Sequence, residues 1–238
     1  MSIELQSRLV SDAWRILDRL GLVDTIFNHI SIATPDSQGN LQLVMNPGTL
    51  LPNQLRPEHL CIVPLRDYSP SEATKLSVNP DGLHLHSQIH TERMRPGVVV
   101  HTHSLNCIAV GSSEQALLPL SQTAMEFVSD LEIIDYGGVF RSAKLTEEMK
   151  RIANQGGVAL LRNHGALIVT DTIPDAVYLA YYLEEACRIQ VCTLSQGVAI
   201  VLPDKSIIAD ACDALRQDRR EAAERLFKAL QRQFESQD

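Results

Sequence analysis

The chain has 238 residues, 45% of them hydrophobic, with 29 acidic against 21 basic side chains and a formal net charge of −8. That acidic balance leaves no cationic footprint for a phosphate backbone, and the 12 glycines form neither G-x-G-x-x-G nor a P-loop, so no nucleic acid or nucleotide partner is expected. The length, without a linker or low-complexity tract, predicts one domain with a well-buried core, and the five cysteines, lacking C-x-x-C spacing, fit reduced thiols.

Leu5, Leu9, Ala13, Ile16, Leu17 and Leu20 recur at helical spacing, which predicts a helix over 3–20 stopped by Gly21, with Trp14 packed there. Glu4, Arg8, Asp12, Arg15 and Asp18 in the same stretch exclude a secretory signal or a membrane span, so the expected location is the cytoplasm. β-rich runs over 26–34 and 41–45 flank a turn-forming segment, Pro35 to Asn40, and predict a hairpin closed by Asn46-Pro47-Gly48. Residues 61–65 read as a short strand, and 82–93 as a helix with His86 and His90 on one face. A strand over 98–103, an amphipathic stretch over 105–112, an apolar turn over 117–120 and a strand over 131–136 follow. Thr146 caps a helix running to Asn154, and strands over 158–161 and 166–169 flank a turn at His164. A helix over 173–194 opens on Pro174-Asp175, and a charged helix covers 209–231. Strands and helices alternate while hairpin-like pairs intrude. The expected fold class is therefore α/β, a three-layer α/β/α sandwich around a mixed, largely antiparallel sheet, in one domain over 1–238.

Five of the eight histidines lie between positions 84 and 103. Val98-Val99-Val100-His101-Thr102-His103 puts two imidazoles on the same side of a strand, because alternate residues share a face. Neutral imidazoles ligate divalent transition metals, and a third ligand is expected from elsewhere in the chain. His164 fits, since Arg162-Asn163-His164-Gly165 ends a second apolar strand. The H-x-H pair alone equally describes two half-buried histidines bonded to backbone; coupled to Asn-His-Gly, it favours metal. Three neutral histidines leave the ion its full charge and open positions, hence Lewis acidity toward a carbonyl or a bound water.

Four segments together resemble the class II aldolase/adducin family over about residues 5–200. They are Phe27-Asn28-His29-Ile30-Ser31 with Asn46-Pro47-Gly48; Gly82-Leu83-His84-Leu85-His86-Ser87; Val99-Val100-His101-Thr102-His103; and Arg162-Asn163-His164-Gly165. The resemblance implies a homotetramer with active sites near subunit contacts, and a divalent ion on His101, His103 and His164. Zn²⁺ is the leading ion, with Fe²⁺, Mn²⁺, Ni²⁺ or Co²⁺ open. It also implies substrate contacts at Asn28, His29 and Gly48; for His29 a structural hydrogen bond between strands is the other reading. The family's aldolases carry a glutamate where Gly82 stands, a serine pair where Pro80-Asp81 stands, and a tyrosine near Gln122 or Thr123. An anionic Asp81 would repel phosphate. Gly-x-x-Leu-His-Ser, Leu118-Pro119-Leu120-Ser121 and the segment Glu185 to Val191 resemble the adducin branch, whose eukaryotic head domain is not known as an enzyme; those members lose a metal histidine that this chain keeps.

The resulting expectation is a metal-dependent lyase acting on a small non-phosphorylated keto or hydroxy acid through a metal-stabilised enolate. With no glutamate at 82, His90 or His86 is expected to move the proton, as titrating groups near neutral pH. His86 also reads as a core histidine, His84 as a solvated loop residue, and His59 as a surface residue. Arg162 is open between substrate contact and packing, Tyr136 reads as packing, and Arg188 as a surface ion pair with Glu184. Two other classes stay open: a non-haem iron oxygenase on the same three histidines, and a non-catalytic adducin-like binding module.

Overall fold

A computed structural model of the chain describes residues 2–135, 137–138 and 144–235. Tyr136 lies outside the described residues.

Seven strands form one sheet in the order β3-β2-β1-β4-β7-β6-β5: β1 His29–Pro35, β2 Leu41–Met45, β3 Cys61–Pro64, β4 Gly97–Thr102, β5 Glu132–Ile134, β6 Gly157–Leu161 and β7 Gly165–Thr170. All neighbours are antiparallel except β5 and β6. Alternation along β4 sends Val98 and Val100 to one face and Val99 to the other. The first face packs under α1 (Ile3–Arg19), α4 (Leu105–Gly111), α7 (Ile173–Leu194) and α8 (Lys205–Glu235), with Trp14 1% exposed in that core. The second lies under α2 (Pro70–Lys75), α3 (Pro80–Arg93) and α6 (Glu147–Gln155). This is the expected three-layer sandwich around a mixed, largely antiparallel sheet. All five cysteines are free, and no helix among the described residues is long and apolar enough to cross a membrane.

Several boundaries differ from those expected, for local reasons. β1 starts at His29 and not near 26, because the Asn28 carboxamide turns back to donate to the Asp24 carboxylate. α3 starts at Pro80, where proline needs no N–H partner and the Asn79 carboxamide oxygen accepts from the backbone N–H of Asp81 and Gly82, each at 3.0 Å. His84 is accordingly a helical residue hydrogen-bonded to Gln88, not a loop residue. Two short helices escape the periodicity: α2, closed by a Ser69–Glu72 capping box, and α5 (Gln122–Met125), capped by Ser121. α8 runs beyond both expected ends.

Candidate metal centre

His101 and His103 approach from the end of β4, and His164 from the β6–β7 turn, which Asn163 closes in the left-handed region at φ +57°. One ring nitrogen from each of the three lies within 4.8 Å of the others, and the Nε2 atoms of His101 and His103 are 3.1 Å apart. His103 stands one residue past the strand, yet its ring still converges with that of His101, at a centroid distance of 4.9 Å. Thr102 points the other way and shares a hydrogen bond with Ser104.

The protonation pattern suits ligation. His101 Nδ1 lies 3.0 Å from the Ala166 carbonyl, which can only accept, so Nδ1 carries the hydrogen and Nε2 keeps its lone pair for the cluster. Burial, with His29, His164 and His103 nearby, holds His101 well below the usual histidine range; burial and His103 lower His164. Neutral imidazole is the ligand form. His103 Nδ1 faces the Asp24 carboxylate at 3.5 Å, which leaves Nε2 turned toward its partners. Burial raises the Asp24 carboxyl, but the Asn28 hydrogen bond, His103 and Thr25 outweigh it and hold it low. Three imidazole nitrogen donors at this spacing fit a divalent transition ion.

Asn28, expected to contact substrate, is fully buried and serves the cluster from behind. Its Oδ1 accepts from the His103 backbone N–H at 2.7 Å, and its Nδ2 donates to Asp24. Asn46 holds this arrangement in turn, accepting from Ile30 N–H at 2.8 Å and donating to the Asn28 carbonyl at 3.2 Å. Gly48, another expected contact, lies behind the α3 cap: a Cβ there would come 2.8 Å from the Asn79 nitrogen. Asn28→Ala removes the clamp on His103 while leaving all three ligands, so Zn²⁺ affinity should fall about 10–100-fold, as for other outer partners of metal ligands. Competition against a chromophoric chelator measures this; unchanged affinity would leave the clamp without a role.

The three histidines open onto a cleft of about 130 Å³ whose wall also carries Phe27, His29, Asp81 and Leu85. His29 is 5% exposed, and neither ring nitrogen has a hydrogen-bond partner among the described residues. It stacks on His101 at 5.7 Å, meets His86 edge-on, and presses against position 82, where a Cβ would fall 2.6 Å from its ring atoms. Any larger residue there would have to displace the His29 ring.

His86 and His90 do share a helix face, but it packs inward on Ser31, whose hydroxyl lies 2.7 Å from His86 Nδ1 and 2.9 Å from His90 Nε2. One hydroxyl proton cannot serve both nitrogens, so one imidazole donates to Ser31. Neither ring lies on the cleft wall; burial holds His86 well below the histidine range and lowers His90 to about 3. The geometry thus removes both from the expected proton-carrying position, one layer behind His29. Arg188 pairs with Glu185 and not Glu184. Glu184 instead turns inward, accepting from Asn106 N and Nδ2 and from Cys107 N at 2.7–3.1 Å, and so ties down the start of α4 just after His103. Arg162 is spent on Asp135 and on the carbonyls of Gly111 and Ser113, a packing role, and His59 is an exposed residue accepting from Arg56 N–H.

Known proteins resemble this chain in sequence and in fold. The profile of the family described as Class II Aldolase and Adducin N-terminal domain matches residues 8–191. The chain belongs to this family. A Pseudomonas aeruginosa protein whose name places it in aldolase class 2 is 29% identical over 213 residues, covering 89% of this chain and 81% of that protein. Mouse alpha-adducin is 30% identical over 200 residues; the match covers 83% of this chain but 26% of the adducin, about a quarter of its length. Among solved structures, an aldolase II superfamily protein from Pseudomonas syringae superposes with a TM-score of 0.85 at 28% identity, covering 100% of this chain and 95% of that one. An L-fuculose 1-phosphate aldolase from Glaciozyma antarctica PI12 gives 0.79 at 21% identity, over 98% and 92% of the two chains, and shares the fold. Class II aldolases typically depend on a divalent metal, which accords with the three-histidine cluster.

Proposed function

We propose that this class II aldolase/adducin-family chain is a metal-dependent lyase acting on a small, non-phosphorylated keto or hydroxy acid. The observation that carries the reading is the convergence of His101, His103 and His164 on an open cleft, with His101 oriented by the Ala166 carbonyl and His103 by Asp24. A divalent ion held there, Zn²⁺ first by its donor preference, would supply Lewis acidity to a substrate oxygen. The remaining tasks fall to the chain itself. The His29 ring backs the cleft behind His101, and Phe27 and Leu85 form the apolar part of the wall. A cleft of about 130 Å³ suits a substrate of a few heavy atoms, and the Asp81 carboxylate beside it disfavours a phosphate. The family resemblance suggests a homotetramer with sites close to subunit contacts, in which Phe27 and Leu105, 55% and 75% exposed, are apolar side chains that such a contact would cover. Five free cysteines support a cytoplasmic location.

The two other classes differ from this one in oxygen and in turnover. Elemental analysis of the purified protein, with a screen of small keto and hydroxy acids under air and under argon, separates all three. The lyase reading expects a redox-silent ion at about one per chain and equal turnover in both atmospheres. Iron with turnover only in air would replace it with oxygenation. Metal retained with no turnover would favour the binding module that the adducin similarity suggests.

A further inference from the structure

Proton transfer at a carbon beside a carbonyl needs a base on the cleft wall, and the three clustered histidines converge on one another, where a bound cation would occupy their ring nitrogens. Two other titratable side chains lie on that wall among the described residues: His29 and Asp81. His29 is sealed between His101 and His86, and burial holds it well below the usual histidine range. Asp81 is half-buried, at the second position of α3, with its backbone N–H fixed by the Asn79 cap. What brings it to the cleft is the next residue. With no Cβ on Gly82, the first turn of α3 settles directly onto the His29 ring, and the residue before it is carried to the cleft edge.

We propose that Asp81 is the catalytic residue that moves the substrate proton. Its carboxylate oxygen accepts the hydrogen from the carbon next to the substrate carbonyl; the C–H electron pair passes into that carbonyl as an enolate, and the carboxyl group returns the proton when the reaction reverses. No co-reactant is consumed. His29, in this arrangement, fixes the helix end that presents the base. The assignment rests on the lyase reading above.

The test uses the zinc-loaded full chain with pyruvate and hydroxypyruvate in D₂O, following loss of the C3 proton signals by NMR. The wild-type protein should exchange these protons. Asp81→Asn should be slower by about 10²–10⁴-fold while keeping its zinc and its thermal midpoint. In Asp81→Ala, added formate should restore exchange in proportion to its concentration, a response that a merely structural aspartate would not give. Asp81→Asn exchanging at the wild-type rate overturns the assignment and leaves the lyase reading standing, as does a variant that has lost its zinc. No exchange by the wild-type protein with either acid overturns both.

Discussion

Acidifying the chelator-treated protein from about pH 7.5 to about pH 5.5 should remove about 5 kcal/mol of folding stability, a large share of what a domain possesses. His29, His86, His90 and His101 are at most 5% exposed, and burial is the first cause that lowers each of them. In the unfolded chain each returns to an ordinary value near 6.5 and takes up a proton there; in the folded chain each stays neutral to far lower pH, about 3 for His90. Below about 6.5 the unfolded state therefore binds more protons, and stability falls with pH by up to about 1.4 kcal/mol per unit for each histidine. The contribution is complete above the unfolded value and is lost progressively as pH drops toward the folded ones. Glu126 and Asp18 act in the opposite sense, because burial raises their carboxyls, but they are two groups against four. Bound zinc should steepen the slope, since protons compete for His101 and His164. Urea midpoints followed by circular dichroism across this range measure the effect. A flat profile would mean that the buried histidines find protonated-state partners, contrary to their packing around Ser31 and the cleft.

The sheet and the cluster were legible in the sequence for the same reason: β4 and β7 are continuous apolar runs, and the polar residues that break them, His101, His103 and His164, sit where the strands end. Strand alternation alone puts His101 and His103 side by side. What the sequence could not carry was long-range partnership. Asn28 precedes β1 in the segment associated with substrate, but its carboxamide meets the His103 backbone 75 residues away. Glu184 fits an i, i+4 pair with Arg188, yet backbone N–H groups 77 and 78 residues away claim it. For His86 and His90 the shared face was readable from spacing. The direction of that face was not, because α3 buries histidines, Ser87 and Arg93 among its aliphatics, and so blurs the polar-out pattern. Asp24 and Asp81 were masked similarly. Each is an ordinary turn or helix-start aspartate until the fold sets it beside the cluster.

Gly165→Ala should be the most damaging glycine-to-alanine substitution among the described residues, costing about 3 kcal/mol or more, at the upper end of what overpacking exacts. Thr102 pairs with Ala166 across β4 and β7, so Gly165 meets the point where β4 gives way to His103. A Cβ at Gly165 would stand 2.1 Å from the Thr102 carbonyl oxygen, 3.1 Å from its carbon and 3.3 Å from the His103 Cα. All three are backbone atoms in a buried sheet, so no side chain can swing aside; the strands must part. By contrast, a Cβ at Gly111 would meet the Leu160 Cβ at 3.3 Å as its nearest neighbour, an approach that a few tenths of an ångström relieve, and Gly111→Ala serves as the control. Parting β4 from β7 separates His103 from His164, and ligand nitrogens within 4.8 Å do not tolerate that separation. Zinc affinity should therefore fall further than in Asn28→Ala, and the thermal midpoint should drop by about 6–12 °C. The two readouts discriminate: a variant that keeps its midpoint but loses zinc shows the close approach to matter for ligand geometry alone, whereas wild-type zinc affinity with a lowered midpoint would mean that the cluster tolerates strand separation and is held chiefly by Asn28 and Asp24.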